Sequence, residues 1–355
     1  MHAENLPANG DTAHATAHTG KHAHRAMGTE FCLYLAQADE AEGRAVFQAV
    51  FEEIDRVEAT FSRFLPSSEI SRLNRLAAQG PVVTDPEVFR LLTEAQALWQ
   101  KTGGVFDVAL GRLSRAWGFA ERAPHLPEAE ALAEATAAAG MALVELDAEW
   151  RTVRFLQPGV ELDLGAFAKG YAVDCALAVL RQAGVAGLID AGSSSIAAVG
   201  EPFESGWRVA VPNPAETAGN CLAELTLGSR ALSSSGIMEQ KFQQDGRTYS
   251  HLLDPRKMVG SSEGETAAPV SAQAEAVAAD RRQLLQATVL APTSALADAL
   301  STAMFLLGPE QGAAVLDQFE DCAALWVFSG PAGVGWQDHH WPLGGVLPWG
   351  ESNHG

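Results

Sequence analysis

The chain has 355 residues, of which 47% are hydrophobic and 19% charged, and this is the composition of a globular protein rather than a disordered one. Its formal net charge is −20, from 24 Lys and Arg against 44 Asp and Glu residues. This acidity argues against a nucleic-acid partner, because non-specific binding of that kind needs basic side chains against phosphates. It does not exclude a small molecule that carries phosphate, since a divalent cation can supply local positive charge.

The sequence also bears on the cellular compartment. The four cysteines lie far apart and lack the spacing of metal ligands, so we expect reduced thiols in a reducing environment. No apolar run reaches the about 18 residues of a membrane helix, and we predict no membrane span. Neither a signal peptide nor a lipobox is visible, although a start assigned too far downstream would hide one. The predicted location is cytoplasmic.

Composition divides the chain into a core and irregular segments. We predict a disordered His-rich tail at residues 1–26, a main domain at 27–328 and a C-terminal tail at 329–355. Within the main domain we predict an irregular insertion at about 256–283. Five of the ten histidines lie in the first tail. The spacing of His14, His18 and His22 leaves metal binding open there, against the simpler alternative of adventitious affinity.

Hydrophobic spacing predicts a mixed α and β core. In chain order we expect a strand at 28–36, a helix at 43–61, helices at 86–101 and 127–139, and a hairpin from strands at 142–146 and 151–155. The helix at 43–61 has the clearest pattern, because Phe47, Val50, Ile54 and Phe61 share one face.

The stretch Val160–Gly170 predicts a strand that passes through Gly165 into a helix ended by Gly184, followed by a second strand at Gly187–Asp190. Lys169 lies in the first turn of that helix, where acidic residues are usual. A negative ligand above the helix would explain it, and a surface lysine is the equal alternative. Neither G-x-G-x-x-G nor a P-loop is present, so ordinary nucleotide-binding motifs are unsupported.

A second unit, Gln286–Leu307, predicts a strand, a break at Pro292 and a helix capped by Thr293 or Ser294. Asp298 and Thr302 are four residues apart and share one helical face. Their oxygens suit Mg²⁺, which prefers hard oxygen ligands. The alternative is a solvated aspartate beside a threonine bonded to its own helix.

A third unit, Ser233–Pro255, contains a hairpin signal at Gln244–Gly246. His251 follows it and is a candidate general base, or alternatively a structural histidine. Ser233–Ser235 with His251 does not indicate a serine hydrolase, because the nucleophile-elbow pattern G-x-S-x-G is missing.

Taken together, short motifs in one order resemble a known family. They are Met27–Thr29, Phe61–Phe64, Ser68–Ser71 with Leu73–Asn74, Thr102–Asp107, Leu162–Gly165 with Ala168–Asp174, Ser235–Gly236, His251 with Asp254–Pro255, and Ala297–Leu300 with Thr302–Ala303. The chain resembles the FAD:protein FMN transferases, also called ApbE-type flavin transferases, from Met27 to about Phe319.

The resemblance implies an α+β fold with an ApbE-like sheet core, helices, and two lobes that enclose a flavin-nucleotide cleft. It implies FAD as substrate, Mg²⁺ as cofactor, and transfer of FMN to a Thr or Ser hydroxyl of an acceptor protein with release of AMP. His251 would be the catalytic residue. The metal ligands would be Ala166 (through its backbone oxygen), Asp298 and Thr302, and the flavin-nucleotide contacts would be Met27, Phe64, Val105, Phe106, Asp107, Asp163, Lys169 and Leu252.

The sequence departs from the family pattern in three places. Asp190–Ser194 stands where a Gly-Gly pair is usual, Arg256–Gly260 replaces a Thr-Gly pair, and Ile237–Met238 replaces an aromatic or polar pair. Two alternative functions are therefore kept. One is a Mg²⁺-dependent FAD pyrophosphatase that yields FMN and AMP, and the other is a flavin-binding protein without turnover.

Overall fold

The computed structural model describes residues 13–14, 20–36, 40–201, 206–215, 221–237, 241–244, 247–257, 283–330 and 333–342. Most of the predicted insertion at about 256–283 lies outside these residues, and so do Met238 and residues 258–260 of the family departures. Within the described helices, none is long and apolar enough to cross a membrane. All four cysteines are free thiols.

The helices are α1 (Glu40–Phe61), α2 (Glu69–Leu76), α3 (Pro86–Lys101), α4 (Gly111–Ala116), α5 (Ala129–Ala137), α6 (Gly165–Ala183) and α7 (Ser294–Leu316). The strands are β1 (Ala13–His14), β2 (Gly20–Ala26), β3 (Thr29–Leu35), β4 (Val82–Val83), β5 (Val144–Asp147), β6 (Thr152–Phe155), β7 (Gly187–Ala191), β8 (Ser195–Val199), β9 (Arg208–Pro212), β10 (Cys221–Thr226), β11 (Ala231–Gly236), β12 (Lys241–Gln244), β13 (Arg247–Ser250), β14 (Gln283–Ala291), β15 (Ala323–Gly330) and β16 (Gly333–His339).

An eight-stranded antiparallel sheet forms the centre, in the order β16-β15-β14-β11-β8-β7-β3-β2. Helices α1, α6 and α7 pack together against one face. The small sheet β1-β9-β10 covers the other face. Strand β3 shows the division, because Phe31 and Leu33 lie in the helical core while Cys32 and Tyr34 lie in the core beneath the small sheet. The α+β class is thus confirmed.

A second group of elements extends the helical core. Helices α2 and α3 and the small sheet β4-β6-β5 contribute Ile70, Leu91 and Val153 to the same buried cluster as the main sheet. A separate cluster joins α4 and α5 to the hairpin β12–β13, where the ring of Trp117 lies 5.6 Å from that of Tyr249.

Helix and hairpin predictions made from periodicity are confirmed. The predicted helices at 43–61, 86–101 and 127–139 correspond to α1, α3 and α5, and the predicted hairpin to β5–β6. Gly184 ends α6 in the left-handed conformation, with φ 68°. Thr293 is the N-cap of α7, and its hydroxyl accepts a hydrogen bond from the Leu296 N–H.

The prediction of a disordered tail through residue 26 is wrong for Gly20–Ala26, which form β2 and pair with β3 along its full length. This edge strand is not predicted because its composition is polar. Its histidines pack on α1 and do not give the sequence an alternating hydrophobic pattern. The His22 ring lies 3.7 Å from that of Phe47, and His24 Nε2 lies 2.6 Å from Asp55 Oδ1.

The possible metal site of the N-terminal histidines stays a prediction. His14 lies in β1 and His22 in β2, while His18 lies outside the described residues. Apart from β1 and β2, the rest of the predicted tail at 1–26 lies outside them too.

Two further predictions are wrong. The predicted tail from 329 contains the end of β15 and all of β16, whose two glycines and three polar residues disguise an edge strand. The predicted strand before Gly165 is irregular backbone instead. Its hydrogen bonds go elsewhere, since Asn74 binds both the N–H and the carbonyl of Leu162, and the Asp163 N–H donates to the Val108 carbonyl.

Candidate functional site

Helices α6 and α7 approach each other closely at the start of α7. A Cβ added at Gly170 would lie 2.3 Å from the Ser294 carbonyl oxygen, so only glycine fits here. One turn further along α6, Asp174 accepts hydrogen bonds from the N–H groups of Ser294 and Ala295, at 2.8 and 2.9 Å. These contacts fix the start of α7 against α6 and thereby position the face of α7 that carries Asp298 and Thr302.

Asp298 is buried among four hydrogen-bond donors. Its Oδ1 lies 2.8 Å from Lys169 Nζ, 3.2 Å from Ser195 Oγ and 3.1 Å from Ser233 Oγ. Its Oδ2 accepts from the Gly170 N–H at 3.1 Å. Lys169 also donates to Ser195. The lysine therefore faces a carboxylate inside the protein, and the alternative of a surface lysine is wrong.

The spacing of β11 matches that of α7. Ser233 and Ser235 are two residues apart on the strand and point to the same face. Asp298 and Thr302 are four residues apart on the helix and form one ridge. Ser233 thus meets Asp298, and Ser235 Oγ lies 3.2 Å from Thr302 Oγ1 and 2.8 Å from Ser301 Oγ. A row of hydroxyls and one carboxylate results, and it consists of oxygen atoms suited to a hard cation.

The first turn of α6 is held by a second charged group. Asp163 Oδ1 accepts from the Gly165 N–H at 3.0 Å, and its Oδ2 lies 3.2 Å from Arg63 Nε. The Arg63 side chain is buried and also pairs with Glu161 at 3.2 Å. Ala166 lies next in this turn and is exposed. This end of α6 thus presents backbone groups to solvent beside fixed charges.

Phe64 is an exposed aromatic residue next to these charges. It is 65% exposed, and the Arg63 guanidinium lies 4.8 Å from the ring centroid. A large exposed ring that is held on one side by a cation offers its other face to a planar ligand.

The loop Val105–Asp107 is built into the core. Val105 and Phe106 are buried, and the Phe106 ring packs edge-on against Phe167 at 5.8 Å. Asp107 accepts from the N–H groups of Ala109 and Met141, at 2.7 and 2.8 Å. Burial raises the pKa of Asp107 to about 6, opposed by these hydrogen bonds. In this structure the carboxylate therefore organises backbone.

Two tight turns lie side by side near the start of β3. Met27 and Gly28 join β2 to β3 with φ of 52° and 77°, as in a type I′ turn, although methionine rarely adopts this conformation. Gly192 contacts Thr29 so closely that an added Cβ would lie 2.1 Å from its hydroxyl. Ser193, in place of a usual glycine, keeps φ 60° and donates its N–H to Asp190 at 2.7 Å. The departure at 190–194 thus preserves the glycine-like backbone.

His251 follows β13 and is half-buried, while Leu252 is buried in the helical core. Asp254 is fully buried, and its Oδ2 lies 2.8 Å from Arg256 Nη2. Arg256 also donates to the Leu306 carbonyl and to Gln311 on α7, at 3.3 and 3.2 Å. Arg256, a departure from the family pattern, therefore anchors the segment after His251 to α7.

The structure brings Lys169, Asp298 and Thr302 into one polar row. It places Asp163, Ala166 and Phe64 around the first turn of α6, while Val105, Phe106 and Leu252 are core side chains.

Two members of the polar row, Ser195 and Ser233, are not predicted from the sequence as site residues. They oppose each other on paired strands, so only the register of β8 and β11 reveals them.

These features define an α+β protein whose polar site lies where α6 and α7 meet the face of an antiparallel sheet. The ApbE family model matches residues 27–326. The FAD:protein FMN transferase of Klebsiella pneumoniae (strain 342) is 31% identical over 302 residues, which cover 85% of this chain and 86% of that protein. The FAD:protein FMN transferase of Treponema pallidum (strain Nichols) is 30% identical and covers 81% and 78%.

Solved structures agree with this assignment. The ApbE protein of Thermotoga maritima superimposes with a TM-score of 0.76 at 26% identity, over 90% of this chain and 97% of that one. The apo form of Pseudomonas stutzeri flavinyl transferase ApbE gives a TM-score of 0.71 at 26% identity, over 90% and 94%. The chain belongs to the ApbE family.

Proposed function

We propose that this protein is a FAD:protein FMN transferase, which moves FMN from FAD to a Thr or Ser hydroxyl of an acceptor protein and releases AMP. The observation that carries the proposal is the polar row of Lys169, Asp298 and Thr302 between α6, α7 and β11, in which Asp298 is buried and the other two are partly buried. Charge neutralisation at fixed positions is what phosphoryl transfer requires of a protein. The names of the relatives support the same activity.

Mg²⁺ fits the oxygen donors of this row. We propose the Asp298 carboxylate, the Thr302 hydroxyl and the Ala166 carbonyl as its ligands. Gly170 supports the inclusion of Ala166, because in a regular helix the N–H of residue 170 faces the carbonyl of residue 166, and here this N–H also donates to Asp298. When bound, Mg²⁺ neutralises charge on the diphosphate of the substrate.

The remaining contacts to FAD are proposed from exposure and position. The free face of Phe64 would stack on the flavin, and Met27 would reach the ligand from its strained turn. Lys169 and Asp163 would orient the polar parts of the substrate. Four further residues have side chains that pack inside the protein or bind backbone. They would contribute backbone groups and the shape of the wall of the FAD site, and they are Val105, Phe106, Asp107 and Leu252.

His251 would act as the general base. Its imidazole would take the proton from the acceptor hydroxyl, whose oxygen forms a bond to the phosphorus on the riboflavin side of the diphosphate. The bond from that phosphorus to the bridging oxygen breaks, and AMP leaves with the bridging oxygen. The anchored segment from Asp254 to Arg256 would hold His251 in place. The cytoplasmic location stays a prediction.

The test measures two products from FAD and Mg²⁺ in the presence of a peptide that carries a candidate acceptor threonine. AMP is quantified by chromatography, and FMN on the peptide is detected by mass spectrometry. We expect both products from wild-type protein and neither from His251→Ala. His24→Ala is the matched control, because this histidine pairs with Asp55 on α1 and should leave activity unchanged.

The alternatives give different results. AMP with free FMN, and no tag on any acceptor, would assign a pyrophosphatase. Saturable FAD binding without AMP would assign a flavin-binding protein without turnover. Full activity of His251→Ala would remove His251 from the mechanism.

A further inference from the structure

A cluster of metal-type side chains lies at the far end of α7, away from the polar row. Asp317 is the C-cap of α7, His339 is the last residue of β16, and His340 follows it. The ligand atoms of these three side chains all lie within 4.8 Å of one another. His339 Nε2 lies 2.7 Å and His340 Nε2 3.0 Å from the same carboxylate oxygen, Asp317 Oδ1.

The topology brings these residues together. Strand β15 begins at Ala323, shortly after α7 ends, and β16 runs back antiparallel to it with His339 opposite Ala324. The end of β16 therefore returns to the end of α7. The cluster joins the edge strand of the main sheet to the part of α7 that follows Gly308, where the helix is kinked by a residue with φ 70° and ψ 178°.

The backbone at His340 adds a second observation. Adjacent residues in a strand point to opposite faces, so His339 and His340 would not share a partner if β16 continued through His340. His340 has φ 55°, a conformation that is uncommon outside glycine, and both imidazoles consequently lie on one side with ring centroids 4.0 Å apart. Backbone strain of this kind is characteristic of ligand-holding positions.

The electrostatics also favour a cation. A helix C-terminus carries partial negative charge, and Asp317 adds a full negative charge there. The last turn of α7 contains no basic residue to compensate. A cation between Asp317 and the two imidazoles would neutralise both the Asp317 charge and the partial charge of the helix C-terminus.

We propose that Asp317, His339 and His340 bind a transition-metal ion, with Zn²⁺ as the best match. Two imidazole nitrogens and one carboxylate oxygen are typical zinc ligands, and water supplies the fourth position. Ligand atoms in a tetrahedral site with bonds of about 2.0 Å lie about 3.3 Å apart, so shifts of about 1 Å suffice here. The site is chemically distinct from the all-oxygen set proposed for Mg²⁺, and it does not depend on the proposed function.

The test is a Zn²⁺ titration of the full chain in excess Mg²⁺, against a chromophoric chelator. The background carries four substitutions so that histidines near the two ends of the chain do not add to the count, namely His2→Gln, His14→Gln, His18→Gln and His354→Gln. We expect one equivalent of Zn²⁺ and a higher Tm with the metal. Co²⁺ should give the visible absorption of a tetrahedral complex.

Matched variants assign the site. His340→Asn removes the imidazole while keeping a residue that tolerates positive φ, and we expect at least about a tenfold loss of affinity and no Tm rise. Asp317→Asn should keep the fold and show the same loss of Zn²⁺ affinity and of the Tm rise as His340→Asn. Asp321→Asn, on the same connection with φ 57°, should bind Zn²⁺ like wild type. Two results would overturn the proposal: Zn²⁺ binding that is equal in the substituted background and in the two ligand variants, or no Zn²⁺ binding by the background itself.

Discussion

Two aspartates hold α6 and α7 together, and their partners differ in kind. Asp174 accepts hydrogen bonds from backbone N–H groups at the start of α7, and burial raises its pKa to about 6. Asp298 lies in the second turn of α7, and its Oδ1 binds the side chains of Lys169, Ser195 and Ser233, while its Oδ2 has one backbone partner, the Gly170 N–H.

The difference between these carboxylates separates scaffold from site. Backbone N–H groups at a helix start have fixed positions, so Asp174 acts as a permanent clamp. Side-chain partners can rotate away, so the three side-chain contacts of Asp298 Oδ1 can be exchanged for those of a ligand. We therefore infer that Asp174 sets the geometry and that Asp298 carries the chemistry.

The largest effect on stability should come from removing the space that lets the two helices meet. Gly170→Ala places a Cβ 2.3 Å from the Ser294 carbonyl, and we expect a loss of at least about 3 kcal/mol in the free energy of unfolding. Urea denaturation measures it. Gly228→Ala, where nothing lies within 4 Å of an added Cβ, is the control. Equal stability of both variants would show that the helices can move apart freely.

Lys169→Met should separate charge neutralisation from packing. It leaves Asp298 with hydroxyl and N–H donors alone, and we expect a loss of about 2 kcal/mol without Mg²⁺. If Mg²⁺ binds at Asp298, it should raise the Tm of this variant more than that of wild type. Thermal melts with and without Mg²⁺ measure this, with Lys101→Met as control. Identical shifts in wild type and Lys169→Met would place Mg²⁺ elsewhere.

A smaller effect is expected at the turn beside Thr29. Ser193→Gly should stabilise the protein by about 0.5–1 kcal/mol, because it relieves a positive φ without losing the N–H bond to Asp190. Gly192→Ala should destabilise it, since the added Cβ meets Thr29. Chemical denaturation compares the pair. A destabilising Ser193→Gly would show that the serine side chain supports the turn.

The last expected effect is a pH dependence of stability from Asp107. Burial raises its pKa to about 6 in the folded protein, above the ordinary value of an aspartate in the unfolded chain. The folded state therefore binds the proton more tightly, and this contribution to stability is present below about pH 4 and is lost as pH rises through about 6. We expect the wild-type stability to fall more between these two pH values than that of Asp107→Asn. Parallel curves from urea denaturation would contradict this.

Features that depend on local pattern could be predicted from the sequence. The apolar stripe of α1, the Thr293 cap and the Gly184 end of α6 follow from periodicity and capping, and the fold class follows from family motifs. Features that depend on distant pairing could not. Gly20–Ala26 becomes a strand only because β3 offers an edge, and Ser195 reaches Asp298 only through the register of β8 with β11.

The most direct measurement compares FMN transfer by Asp298→Asn and Asp174→Asn, each corrected for its folded fraction. We predict that Asp298→Asn keeps its fold but loses about three orders of magnitude in transfer rate. Asp174→Asn should instead lose about 1–2 kcal/mol of stability, while each folded molecule transfers FMN within a few-fold of wild type. Transfer at the wild-type rate by Asp298→Asn would contradict the central claim that this carboxylate carries the chemistry.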